Sequence, residues 1–198
     1  PVINNVAHIA VQSFNSSCTC AAAEILKIIF ENIDKIEDIS VKESIKSTIV
    51  ENEALFSSIT DPHDVRLCSI IFLYKDRLTC DNSLIDSFFQ GKTSTFVSNS
   101  ILDCIRGLSD EDFKSFIEDD KIGIVNRLIN YDINKSSKVN GHITELARIL
   151  NDRKEQSPAI LLSQQWEKYR KDVFLPHIEL VTSMYGGGYP ETLDDSES

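Results

Sequence analysis

Apolar residues along this chain recur every three or four positions, the spacing of one buried helix face, and nowhere alternate long enough to make a sheet. Val2, Val6, Ile9 and Ala10 predict a helix over residues 2–14, and a polar break follows over 13–19. The next helix, 19–36, carries a stripe of Ile25, Ile28, Ile29, Ile33 and Ile36, with Lys27, Glu31 and Lys35 on another face. Ser40-Val41-Lys42-Glu43 fits a capping box opening a helix that runs through Val50, and a short helix over 53–59 follows. Asp61-Pro62 reads as a helix start, Asp as N-cap and Pro in the first helical position. Residues 65–78 are apolar almost all round, as an inner helix covered on both sides would be; a buried strand over 69–74 is the rival reading.

The second half continues in the same way. A helix starting at Asn82 or Ser83 is stopped by Gly91, and one over 95–106 by Gly107, in the left-handed conformation of a C-cap. Ser109-Asp110-Glu111-Asp112 caps a short helix through Glu118, its acidic first turn suiting the positive helix end. Three more helices are expected at 121–133, 142–150 and 158–184. In the middle one Ile143, Leu146, Ala147 and Leu150 share a face. In the last, Trp166, the only tryptophan, shares a face with Leu162, Tyr169 and Val173. Pro176 lacks the amide that would bond back to Asp172, so a kink or break is expected there.

The pattern therefore predicts an all-α chain of about nine or ten helices, about forty residues per helical pair, the period of armadillo- or HEAT-like stacked hairpins. An irregular helical bundle is the alternative. The helical domain spans residues 1–185, and the start at Pro1 reads as a piece of a longer scaffold. Residues 186–198, with three glycines, Pro190 and four acids, predict a disordered acidic tail. Thr192, Ser196 and Ser198 stand beside acids there, a pattern acid-directed kinases accept.

Charge and composition narrow the partners. A net charge of −11 over 198 residues argues against nucleic acid and anionic membrane, and no apolar run is long enough to span a bilayer. Five cysteines without a metal-knuckle spacing, and four scattered histidines, read as free thiols in a reducing compartment and no metal site. No phosphate-binding glycine loop, nucleophile elbow or zinc-protease motif occurs, so neither an enzyme nor a cofactor is expected.

One stretch carries more. Ile124-Val125-Asn126-Arg127-Leu128-Ile129, then Gly141-His142-Ile143-Thr144, then Trp166-Glu167-Lys168-Tyr169, in that order over some seventy residues, resembles the SAPS family. Those proteins are regulatory subunits of the type-2A-like Ser/Thr phosphatase known as phosphatase six. Asn140 and Glu145 depart from the family pattern, which usually has an apolar residue and an Arg there, and nothing specific matches before about residue 110. The resemblance implies an armadillo-like scaffold in the cytoplasm or nucleus, without activity of its own. It would hold a phosphatase catalytic subunit or deliver it to proteins that recruit substrates. An adaptor for a non-phosphatase partner, in trafficking or transport, is the alternative.

Within that stretch Arg127, His142, Arg148 and Trp166 are the candidate partner-binding residues, and Gly141, Thr144, Ala147 and Tyr169 the structural ones. Gly141 is expected at a helix mouth, allowing close backbone approach or a positive φ. His142 reads either as hydrogen-bonded to an adjacent loop or as a recognition residue. Arg127 and Arg148 are either solvated or paired, with buried stems, or meet an acidic patch on the partner. Trp166 is either core between helices or a hot spot.

Overall fold

The computed structural model describes residues 2–12, 16–56, 58–73, 82–133, 138–157 and 163–182. The expectations for Cys80, Leu162, residues 74–78 and the 186–198 tail lie outside them. The described chain is all-helical, with no strand among the described residues, so the rival strand reading of residues 69–74 fails over its described part. The helices are α1 (Val2–Gln12), α2 (Ser16–Glu31), α3 (Ile39–Glu51), α4 (Glu53–Phe56), α5 (Leu67–Leu73) and α6 (Asn82–Phe89). They continue as α7 (Thr95–Arg106), α8 (Asp110–Glu118), α9 (Ile124–Ile129), α10 (Asn140–Asp152), α11 (Gln164–Tyr169) and α12 (Leu175–Thr182). A π turn, Arg170–Phe174, joins the last two, and short 3₁₀ turns follow α2 and α10.

α5 is apolar all round and is covered on both sides, by α2 and by α7. α2 in turn packs on α1, and α7 on α10, so α1, α2, α5, α7 and α10 follow one another as a row of neighbours. One continuous core of buried side chains runs from Ala7 to Phe174. It includes Ile70 and Ile71 of α5, Ile101 and Ile105 of α7, and Ile143, Leu146 and Leu150 of α10.

Of the isoleucine stripe, Ile33 is buried and Ile29 and Ile36 pack against the core, but its first two members are out of phase with the buried face of α2. Ile25 and Ile28 are 47% and 49% exposed, whereas Ala22, Ala23 and Leu26 are buried. The reason is the neighbour: α1 presents Ala7 and Ala10, and small side chains on both helices let the backbones approach, a fit that isoleucines would prevent.

Helix ends account for most other differences. Asp38, not Ser40, caps α3: its carboxylate accepts the amides of Ser40 and Val41 at 2.9 and 3.2 Å and the Ser40 hydroxyl at 2.7 Å, while Glu43 pairs with Lys46. Asp61 only bonds the amide of His63, and α5 begins six residues later. Asp64 and Arg66 hold the intervening turn. Burial pushes the Asp64 carboxyl up, but the bonds from Arg66 outweigh it and hold it below its ordinary value. Ser109 caps α8 as predicted, through the amide of Asp112, and Ser94, which the sequence reading did not single out, caps α7 through the amide of Val97. Gly91 stops α6 with φ +66°, but Gly107 ends α7 at φ −87°, without a left-handed residue. The helix expected over 121–133 shortens to α9, because Asp119 turns the chain onto the amide of Lys121 and Gly123 adopts φ +55°.

The buried positions set two stability expectations. Leu146→Ala removes a fully buried side chain and should cost about 2–5 kcal/mol. Ile25→Ser, on a half-exposed site, should cost less than about 1 kcal/mol, both read from urea unfolding.

Candidate functional site

The residues singled out over 119–185 fall into two groups. The first motif lies on α9 and the third on α11, and these two helices pack together. The second, on α10, stands apart and faces α6 and α7.

Between α9 and the α11–π-turn segment lies a cleft of about 410 Å³. Its walls carry three side-chain amides, Asn126 and Asn130 on one side and Gln165 on the other. Lys168 and Asp172 add one charge of each sign, and Ile129 and Val173 are its aliphatic lining. Tyr169 completes it, and behind Tyr169 stands Trp166, fully buried, with ring centres 5.6 Å apart. Neither the Tyr169 hydroxyl nor the Trp166 indole nitrogen has a hydrogen-bond partner among the described residues. Such orphaned groups are costly in a native core, about 1–3 kcal/mol each, and so mark a place where packing and polarity are in conflict. Burial pushes the Tyr169 phenol up to about 12.

The backbone of this wall is also irregular. The helix does not break before Pro176. It widens into the π turn, where the amide of Leu175 reaches back five residues to the Arg170 carbonyl. That absorbs the missing proline amide and lets α12 continue, so in place of a break there is a local widening. Arg170 is paired with Glu167 at 3.1 Å.

The remaining candidates are committed within the fold. Arg127 donates from Nε to the Ile122 carbonyl at 2.7 Å and pairs with Asp86 of α6, so it ties α9 to its surroundings. Arg148 is exposed and forms a two-pronged pair with Glu145 at 2.8 and 2.9 Å. Hydrogen bonds from Arg148, and from Arg106 of α7, hold the Glu145 carboxyl below its ordinary value against the opposing effect of burial. His142 is half-buried, its ring in an edge-to-face arrangement with Phe88 of α6 at 6.4 Å. Burial lowers its pKa. Gly141 lies inside the first turn of α10 in ordinary helical backbone; an added Cβ would meet nothing within 4 Å, so neither expected glycine role applies. Thr144 bonds back to the Asn140 carbonyl at 2.9 Å, and Ala147 is buried. Trp166 is enclosed and backs the cleft without presenting a surface.

Sequence reasoning missed the amides. Asn126 and Asn130 lie at i and i+4 on α9, and that spacing between polar residues was the available signal. It also missed Arg153, whose guanidinium donates to the carbonyls of Ile105 and Arg106, pairs with Asp110 at 3.0 Å, and lies 4.1 Å over the Phe113 ring. No group of three or more metal-ligating side chains gathers among the described residues. Likewise, none of the described helices is long and apolar enough to cross a membrane. Comparison with protein-family models, with known proteins and with solved structures found no match.

Tyr169→Phe removes the orphaned hydroxyl and should leave stability unchanged or raise it by about 1–3 kcal/mol in urea unfolding. The same residue sets an alkaline dependence. The unfolded chain loses this proton near 10 and the folded chain near 12, so its contribution is complete below pH 10 and falls as pH rises from about 10 to 12. That part of the slope should vanish in the phenylalanine variant.

Proposed function

We propose that this chain is a non-catalytic helical scaffold of the SAPS type, and that the α9–α11 cleft grips a polypeptide partner. The partner is the catalytic subunit of a type-2A-like Ser/Thr phosphatase, which the scaffold directs to proteins that recruit substrates. The observation that carries this reading is the convergence of two motifs of the resemblance, residues 124–129 and 166–169, on one cleft although some forty residues separate them.

The chemistry of the cleft suits a protein ligand. A side-chain amide donates and accepts, as each peptide unit does, so Asn126, Asn130 and Gln165 match main chain of any sequence. Lys168 and Asp172 supply charges for orientation, and the aliphatic side chains between them a dry contact. The row of α1, α2, α5, α7 and α10, each packed on the next, is the arrangement expected of armadillo- or HEAT-like hairpins, and supports reading the fold as a stacked array. A scaffold of this kind works in the cytoplasm or nucleus.

The reading is tested by co-purification with the catalytic subunit of phosphatase six. The unsubstituted chain should retain it. Lys168→Glu and the pair Asn126→Ala with Gln165→Ala, all at exposed positions, should weaken retention about tenfold or more while leaving thermal unfolding unchanged. Absence of retention by the unsubstituted chain, with proximity labelling recovering a trafficking or transport protein instead, would replace the phosphatase reading by the adaptor one.

A further inference from the structure

A second surface lies at the other end of the row of helices. Between the start of α1 and the outer face of α3 runs a groove of about 440 Å³. Val2 and Ile3 form one wall; Val41, Ile45 and Thr48 form the other. Apolar side chains are exposed along it: Val2 is 74% exposed, Val41 45%, and Ile39 beside it 76%. Exposed valines on both walls of one groove offer an apolar contact in a chain otherwise rich in charge.

The charges around the groove are ordered. Ser40 lines the groove and is held by the Asp38 carboxylate, which fixes an acid at that end, with Glu37 next to it in the chain. At the other end exposed Glu51 lies three residues beyond Thr48 and seven beyond Ser44, in line with the lining face of α3. The lysines of α3 fall on its other side, where Lys42 pairs with Asp34 and Lys46 with Glu43. α1 contributes no carboxylate, lysine or arginine, His8 being its one titratable side chain. Among the described residues no lysine or arginine lines the groove, whose apolar side chains are interleaved with the hydroxyls of Ser40, Ser44 and Thr48, and an acid stands beyond each end.

We propose that the groove between α1 and α3 docks an amphipathic helix of a partner protein, apolar along one stripe and basic at both ends of that stripe. Two helices side by side offer ridges and a groove for a third, and among the described residues there is no strand edge to recruit an extended segment. The distance from Asp38 to Glu51, about 20 Å along the helix axis, sets the spacing of the basic ends. An anionic lipid surface or a second copy of this acidic chain would meet the same end charges with the wrong sign. This site is separate from the α9–α11 cleft and stands or falls independently of the phosphatase reading.

Fluorescence anisotropy of the full chain against two labelled synthetic helices tests it. Both probes carry one leucine stripe of about 13 residues to match the span; one is flanked by lysines, the other by glutamates. The lysine-flanked probe should bind, and bind about tenfold or more weakly to the Val2→Ser, Val41→Ser double variant, whose exposed sites leave the circular dichroism melting curve unchanged. Glu51→Gln should weaken it further and make it less sensitive to salt. Three results would overturn the proposal. One is equal affinity of the lysine-flanked probe for the unsubstituted chain and the double variant, which is mere attraction to an acidic protein. The second is equal binding of the glutamate-flanked probe. The third is absence of lysine-flanked probe binding, whether or not the chain self-associates or takes up phosphatidylserine vesicles.

Discussion

The rest of the structure depends on one constraint: α5 has no polar face. Leu67, Ile70, Ile71 and Leu73 are all buried, and even Ser69 is enclosed, its hydroxyl bonded to Glu24 of α2 at 2.9 Å. A helix of that kind is stable only when covered on both sides, and α2 and α7 supply the cover. α7, drawn in by α5, has a second buried face to satisfy and meets α10 there. Each helix passes the requirement to the next, which is why the elements form a row and why one core runs through nearly the whole described chain.

Arginines close the ends of that row. Helix C-termini leave carbonyls without partners, and a guanidinium, with donors in a planar fork, can satisfy two at once while keeping a carboxylate contact. Arg66 bonds the carbonyls of Ala10 and Val11 at the end of α1 and pairs with Asp64 ahead of α5. Arg153 does the same for the end of α7 and the start of α8. Arg127 joins the Ile122 carbonyl to Asp86. Arg66, Arg127 and Arg153, which look like surface charge in the sequence, are therefore joints.

Helix existence was legible because it depends on local spacing, as in α7 and α8, whose serine caps and apolar faces agree with one another. Facing was less legible. Ile25 and Ile28 of α2 point outward because the alanines of α1 accept only small neighbours, a fact no pattern within α2 contains. Boundaries failed where an aspartate side chain competed for amides, at Asp38, Asp61 and Asp119. Of the site, Trp166 and Tyr169 were visible as a pair on one helix face. Their cleft was not, because it needs α9 beside α11, and the widened turn that accommodates Pro176 arises only in the folded chain.

Amide hydrogen exchange of the full chain, alone and with the phosphatase catalytic subunit, tests the central claim most directly, because it locates the contact without a substitution. A scaffold that grips its partner in the α9–α11 cleft should slow exchange over residues 126–130 and 165–173 by about tenfold or more, a change the bound state imposes by limiting local opening. Unchanged exchange in both segments, with protection confined to other helices or absent altogether, would contradict it.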